Sequence, residues 1–132
     1  MPNNIPTDVL NTGITSNHIA QLEDWGKHLA GQNPTRSKMS TSQIRKFFGE
    51  MKRIQADFDT YKSDIVLLDP KIAYAVGRAK KDARNQHVPI EDFYKMISPM
   101  IRTINGDKAK YKIFVQVCEA IVAYHKANGG DQ

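Results

Sequence analysis

The sequence predicts an all-α protein, a compact single-domain bundle of about five helices. Three observations carry this expectation. Apolar residues recur at steps of three and four along five stretches. Capping and stop residues bound those stretches. The one extended apolar run between them, Ile65 to Leu68, is too short and unpartnered to form a sheet. With 132 residues, the chain is long enough to bury a core without staples. Its 40% apolar and 25% charged residues are ordinary for a soluble globular protein. Residues 1–15 are rich in Asn, Thr and Pro and show no period, so they are read as a loose N-terminal segment. Residues 16–130 are read as the helical bundle domain.

The first helix is expected from about Asn17 to Ala30, with Ser16 as cap and Gly31 as stop. Ile19, Leu22, Trp25, Gly26 and Leu29 give its inner face. A linker with Pro34, Arg36 and Lys38 follows. Ser40 and Gln43 then have the spacing of a capping box, in which each side chain satisfies an orphan amide of the next helix. Behind them Ile44, Phe47, Phe48, Met51, Ile54, Phe58 and Tyr61 form a continuous apolar stripe. The third helix is expected to start with Asp69 as cap and Pro70 at its first position, where a missing amide costs nothing. Ile72, Ala75, Val76, Ala79 and Ala83 face inward.

The fourth helix is expected from about Pro89 to Ile104. Pro99 inside it predicts a kink or a break into two pieces. Gly106 ends it. The fifth runs from about Asp107 to Ala127, and its apolar residues cover so much of its girth that it reads as central. The tail Asn128, Gly129, Gly130, Asp131, Gln132 reads as a helix stop and frayed end.

Composition sets limits on function. No apolar run is long enough to span a bilayer, and Met1 to Leu10 has no basic start, apolar stretch or cleavage site, so a cytoplasmic address is expected. Cys118 is the single cysteine and lies in an apolar run, which predicts a buried hydrophobe and not a nucleophile. His18, His28, His87 and His125 form no HExxH pair and no Cys-containing ligand set. The carboxylates Asp57, Asp59, Asp82, Glu91 and Asp92 read as a charged outer face, the last two favoured by the positive end of the fourth helix. There is no P-loop and no serine elbow. No catalytic residue, metal or cofactor is therefore expected, and the chain reads as a binder.

The net charge is +5, from 19 Lys and Arg against 14 Asp and Glu. Where the cations lie matters more than their sum. On the second helix Arg45 and Lys52 are nearly aligned, as are Lys46 and Arg53, all off the apolar stripe. On the third, Lys71, Tyr74, Arg78 and Lys81 share one face, opposite Ile72, Val76 and Ala79. Such columns suit a sugar–phosphate backbone, and Tyr74 is placed either to stack on a base or to pack against a partner. Lys38 and Arg36 stand just before the capped helix, whose free amides, with Thr41 and Ser42, offer a phosphate site. Lys126 adds a cation near the C-terminus. A basic helix face is also compatible with plain solvation, and charge does not separate RNA from DNA.

Three runs, in order, resemble the small subunit family of the type III-A CRISPR–Cas Csm effector complex. They are Met39-Ser-Thr-Ser-Gln-Ile-Arg-Lys-Phe-Phe48, Pro70-Lys-Ile-Ala-Tyr-Ala-Val-Gly-Arg78, and Phe114-Val-Gln-Val-Cys-Glu-Ala-Ile-Val-Ala-Tyr-His-Lys126. The resemblance covers about residues 39–130. It implies a helical protein without nuclease activity. It implies copies stacked as an inner filament that lines the channel for CRISPR RNA and target RNA, beside the other Csm subunits; the lack of a spanning apolar run adds that no membrane partner is expected. By that resemblance Arg45 and Arg78 are expected to contact RNA phosphate. Lys38, Lys46, Lys52, Arg53, Lys81 and Lys126 are added from the helix faces. A rival role for Arg45 or Arg78 is a pairing with Glu119 inside the fold. The alternative function is a free-standing helical nucleic-acid binder or a protein adapter.

Overall fold

The structure, a computed structural model, describes residues 1–130. Among these it is all-α, with no strand. Five helices of three or more turns make the body: α2 (Ser16–Leu29), α3 (Thr41–Ala56), α5 (Leu68–Asp82), α6 (Pro89–Ile104) and α7 (Lys108–Ala127). A one-turn helix, α1 (Val9–Thr12), precedes them, and a second, α4 (Phe58–Tyr61), with a 3-10 segment (Lys62–Leu67), lies between α3 and α5. One continuous core runs through the body, and Trp25, Phe47, Phe93, Tyr111 and Phe114 are fully buried in it.

The local signals set most boundaries. Ser40 accepts from the Gln43 amide at 3.2 Å, and Gln43 Oε1 accepts from the Ser40 amide at 3.0 Å, closing the capping box of α3. Asp107 caps α7 by accepting from the Lys110 amide at 3.0 Å. Helix α6 spans Pro89–Ile104 as one unbroken helix around Pro99, which lies on the exposed side. It ends through Asn105 and Gly106, both at positive φ.

Tertiary contacts override the sequence signals at several points. The apolar stripe of α3 does not continue as one helix to Tyr61: the chain turns at Asp57 (φ −145°, ψ 71°), and Phe58 enters the core from the separate turn α4. Helix α5 starts at Leu68, directly after the 3-10 segment, so Asp69 is not its cap. Asp69 instead accepts from Tyr94 Oη, Ser98 Oγ and Arg102 Nε, tying α5 to α6. Ile19, expected inside, is 44% exposed.

The segment expected to be loose is packed. Ile5, Val9 and Leu10 are buried, and Trp25 Nε1 donates to the Asn3 carbonyl at 3.0 Å. The tail is likewise held as far as Gly130, whose amide donates to the His125 carbonyl at 2.8 Å, while Lys38 Nζ donates to the Gly129 carbonyl at 2.8 Å. Asp131 and Gln132 of the expected frayed end lie outside the described residues.

Helix α2 lies against α7 at a very short distance. A Cβ on Gly26 would stand 2.7 Å from the Tyr124 carbonyl carbon and 2.8 Å from the His125 nitrogen, so only glycine permits this approach. His125 is buried there and donates from Nε2 to the Met39 carbonyl at 2.6 Å, which fixes the start of α3 against the end of α7. Tyr111 Oη donates to the Met51 carbonyl at 2.7 Å near the other end. Helices α3 and α7 therefore run antiparallel.

Candidate nucleic-acid interface

Helices α3 and α5 are connected through α4 and the 3-10 segment and pack side by side, with Glu50 and Lys71 within electrostatic reach. Their inner faces bury Ile44, Phe47, Met51, Ile72, Val76 and Ala79. Above this contact they leave a groove of about 630 Å³. Lys46 lines it from α3, and Lys71, Tyr74 and Arg78 from α5. Phe47, Leu67, Pro70 and Ala75 supply an apolar wall. Asp82 is the one carboxylate in the lining, against three cations. Among the described residues, Lys46, Lys71 and Arg78 form no salt bridge. Tyr74 is 63% exposed, and its ring and hydroxyl have no aromatic, cation–π or hydrogen-bond partner among those residues.

The structure divides the predicted cations of α3 between two sides of the helix. Neighbouring residues are about 100° apart, so Lys46 and Arg53 point toward α5 while Arg45 and Lys52 point away from it. Lys52 pairs with Glu119 of α7, with both side chains about half exposed. Such an exposed pair contributes about 0–1 kcal/mol. This pairing removes the rival role in which Glu119 meets Arg45 or Arg78 inside the fold: Glu119 is exposed, and neither arginine forms a salt bridge among the described residues.

Arg53 is the most engaged of the set. Its guanidinium donates to Glu50 at 2.9 Å and to Asp64 at 2.8 Å, and it lies 4.2 Å from the centre of the Tyr61 ring. The hydrogen bond from Arg53 holds the Glu50 carboxyl below its usual range. Lys81 is exposed on α5 beyond Arg78, outside the groove lining. Lys126 is exposed on α7, and Lys38 closes the linker onto the tail. The groove thus brings together Lys46 and Arg78, joined by Lys71 and Tyr74, and leaves Arg45, Lys52, Lys81, Lys126 and Lys38 on surrounding surfaces.

One polar cluster escaped the sequence reading. Asp92 is buried, as is His28. Asp92 Oδ2 lies 2.8 Å from His28 Nε2 and 2.9 Å from His87 Nε2. One carboxylate oxygen therefore joins α2, α6 and the loop before α6. Burial opposes its charge, but the hydrogen bonds and attraction from the two imidazoles outweigh burial and hold the carboxyl below its ordinary range. The expectation that Asp92 sits on a solvated outer face is corrected on this ground. The available signal was His28 itself, three residues after Trp25 on the inner face of α2. Glu91 also leaves the solvated face, accepting from Lys80 Nζ at 3.1 Å. Among the described residues no group of three or more His, Cys, Asp or Glu is arranged to hold a metal ion.

The family model described as Csm2 Type III-A matches residues 16–131, which is all of the helical body. The chain belongs to the Csm2 Type III-A family. It is a small subunit of the type III-A Csm complex and assembles with other Csm subunits. Neither the curated proteins nor the solved structures gave a match. No helix among the described residues is long and apolar enough to cross a membrane.

Proposed function

We propose that this small subunit is a non-catalytic RNA-binding component that lines the channel for CRISPR RNA and target RNA, with copies side by side in a filament. One observation carries the reading. Lys46, Lys71 and Arg78 converge on one open groove beside an exposed Tyr74, and none of the three is neutralised by a salt bridge among the described residues. Cations left unpaired on rigid helices are available to phosphate, and they bind backbone without regard to base sequence. Arg45, Lys81 and Lys126 extend the positive surface. Lys38 faces the tail, and Lys52 and Arg53 join the surface only as their own pairs open.

The test is salt-dependent binding of single-stranded RNA to the full chain. Each phosphate neutralised gives a log–log slope of about −0.7. Replacing Arg45 and Arg78 together by Gln is expected to flatten that slope and to weaken binding to all sequences alike, with the melting transition unchanged. One subunit with few contacts binds weakly, and affinity grows when several copies align along one RNA. A folded double variant whose complex still loads guide and target RNA unchanged defeats the reading.

A further inference from the structure

We propose that the groove between α3 and α5 receives one unstacked nucleotide, its base against Tyr74 and its phosphates on Lys46, Lys71 and Arg78. This rests on the RNA reading above and names the form of RNA that the site selects.

Tyr74 stands apart from the other tyrosines. Tyr61 lies beneath the Arg53 guanidinium, Tyr94 donates to Asp69, Tyr111 donates to the Met51 carbonyl, and Tyr124 packs against the core. Tyr74 alone is mostly exposed. Its ring is presented from the middle of a 15-residue helix whose opposite face is buried at Ile72, Val76 and Ala79, so the position is rigid.

The lining beside it is divided in chemistry as a nucleotide is. Leu67, Pro70 and Ala75 offer an apolar wall for a planar base, and the three cations offer charge for the phosphates on either side of it. The volume of about 630 Å³ falls within the range of about 300–1,000 Å³ typical of small-ligand clefts. A continuous duplex presents only its backbone and groove edges, because its bases are stacked on one another. It meets the cations but not Tyr74. An unpaired nucleotide meets both, since every base has a face that stacks on an aromatic ring.

The experiment uses the full chain and three RNA probes carrying 2-aminopurine, whose fluorescence falls when it stacks. The probe base is placed in a single strand, as a one-nucleotide bulge in a duplex, or in a perfect duplex. At about 50 mM salt, where phosphate contacts are strong, binding is expected to lower the signal of the first two probes and leave the third unchanged. Tyr74→Leu is expected to abolish that fall and to weaken binding of the bulged probe about tenfold. It should leave the perfect duplex and the salt slope as they are. Tyr74→Trp should restore the fall.

Salt-dependent binding with no change in probe signal overturns the nucleotide slot and leaves the RNA reading standing. No salt-dependent binding of any probe overturns both. If Tyr74→Leu leaves every RNA measurement unchanged but blocks assembly with the other subunits, the groove holds a protein segment, and the proposal is wrong.

Discussion

The α2–α7 seam and the α3–α5 pair are both helix contacts of one small bundle, yet they are finished in opposite ways. At the seam, Gly26 lets the backbones approach until no Cβ fits, Trp25 is fully buried with its indole nitrogen bonded, and His125 is sealed against the Met39 carbonyl. These side chains are spent on the fold. Between α3 and α5 the contact closes only on its lower side. Its upper side keeps an open groove, an exposed tyrosine and three cations without a salt bridge. The polar groups that the fold leaves unsatisfied between α3 and α5 are the ones available to a ligand.

The largest test of this contrast is Trp25→Ala. It removes a fully buried side chain and the bond to Asn3 that pins the first residues to the bundle. A loss of about 3–5 kcal/mol is expected in denaturant unfolding, with early proteolysis within the first twelve residues. Gly26→Ala adds one methyl group, but against backbone that cannot yield without moving a helix. A loss of about 1–3 kcal/mol is expected. A neutral outcome would mean that the seam is looser than its geometry states.

Asp92→Asn probes the third region, the shared carboxylate. The substitution removes a charge that two imidazoles hold, and about 1–3 kcal/mol is expected to be lost near neutral pH. The sign of the pH dependence follows from the depressed carboxyl. Its contribution is complete above the unfolded value of about 3.9 and disappears as pH falls through the still lower folded value. The stability gap between wild type and variant should therefore be constant around neutrality and narrow below about pH 4. A gap that persists unchanged into acid would show that packing, and not the charge, is what the substitution disturbs.

The elements were legible in the sequence where the physics is local. Ser40 with Gln43, Pro89 and Asp107 mark helix starts because caps act within one turn. The basic faces of α3 and α5 were legible for the same reason, as both follow from the helical repeat. What joins distant residues was not. Asp92 and His28 are 64 residues apart, and in sequence a buried Asp in a first turn looks the same as one that merely suits the dipole. Asp69 looked like a cap beside Pro70, yet its oxygens are taken by Tyr94 and Ser98 of another helix. The N-terminal residues lack a period because Ile5, Val9 and Leu10 enter the core from an irregular path. The division of the α3 cations into a groove side and an α7 side needed the position of Glu119.

A glycine on α5 is expected to give the smallest effect, with the opposite sign. Gly77 lies inside α5, one residue before Arg78, with nothing within 4 Å of where a Cβ would stand. Its φ is not in the left-handed region, so alanine meets neither a clash nor backbone strain. Glycine within a helix costs about 0.5–1 kcal/mol relative to alanine, because it has more freedom to lose on folding. Gly77→Ala is therefore expected to stabilise the isolated chain by about that amount, read as a rise of about 2–4 °C in its melting temperature. The same exchange at Gly26 destabilises, so a matched pair of alanine variants reports the packing of each helix without any change in polarity. If Gly77→Ala instead lowers the melting temperature, α5 is covered on its outer side within the chain itself, and the groove beside it is less open than the contrast requires.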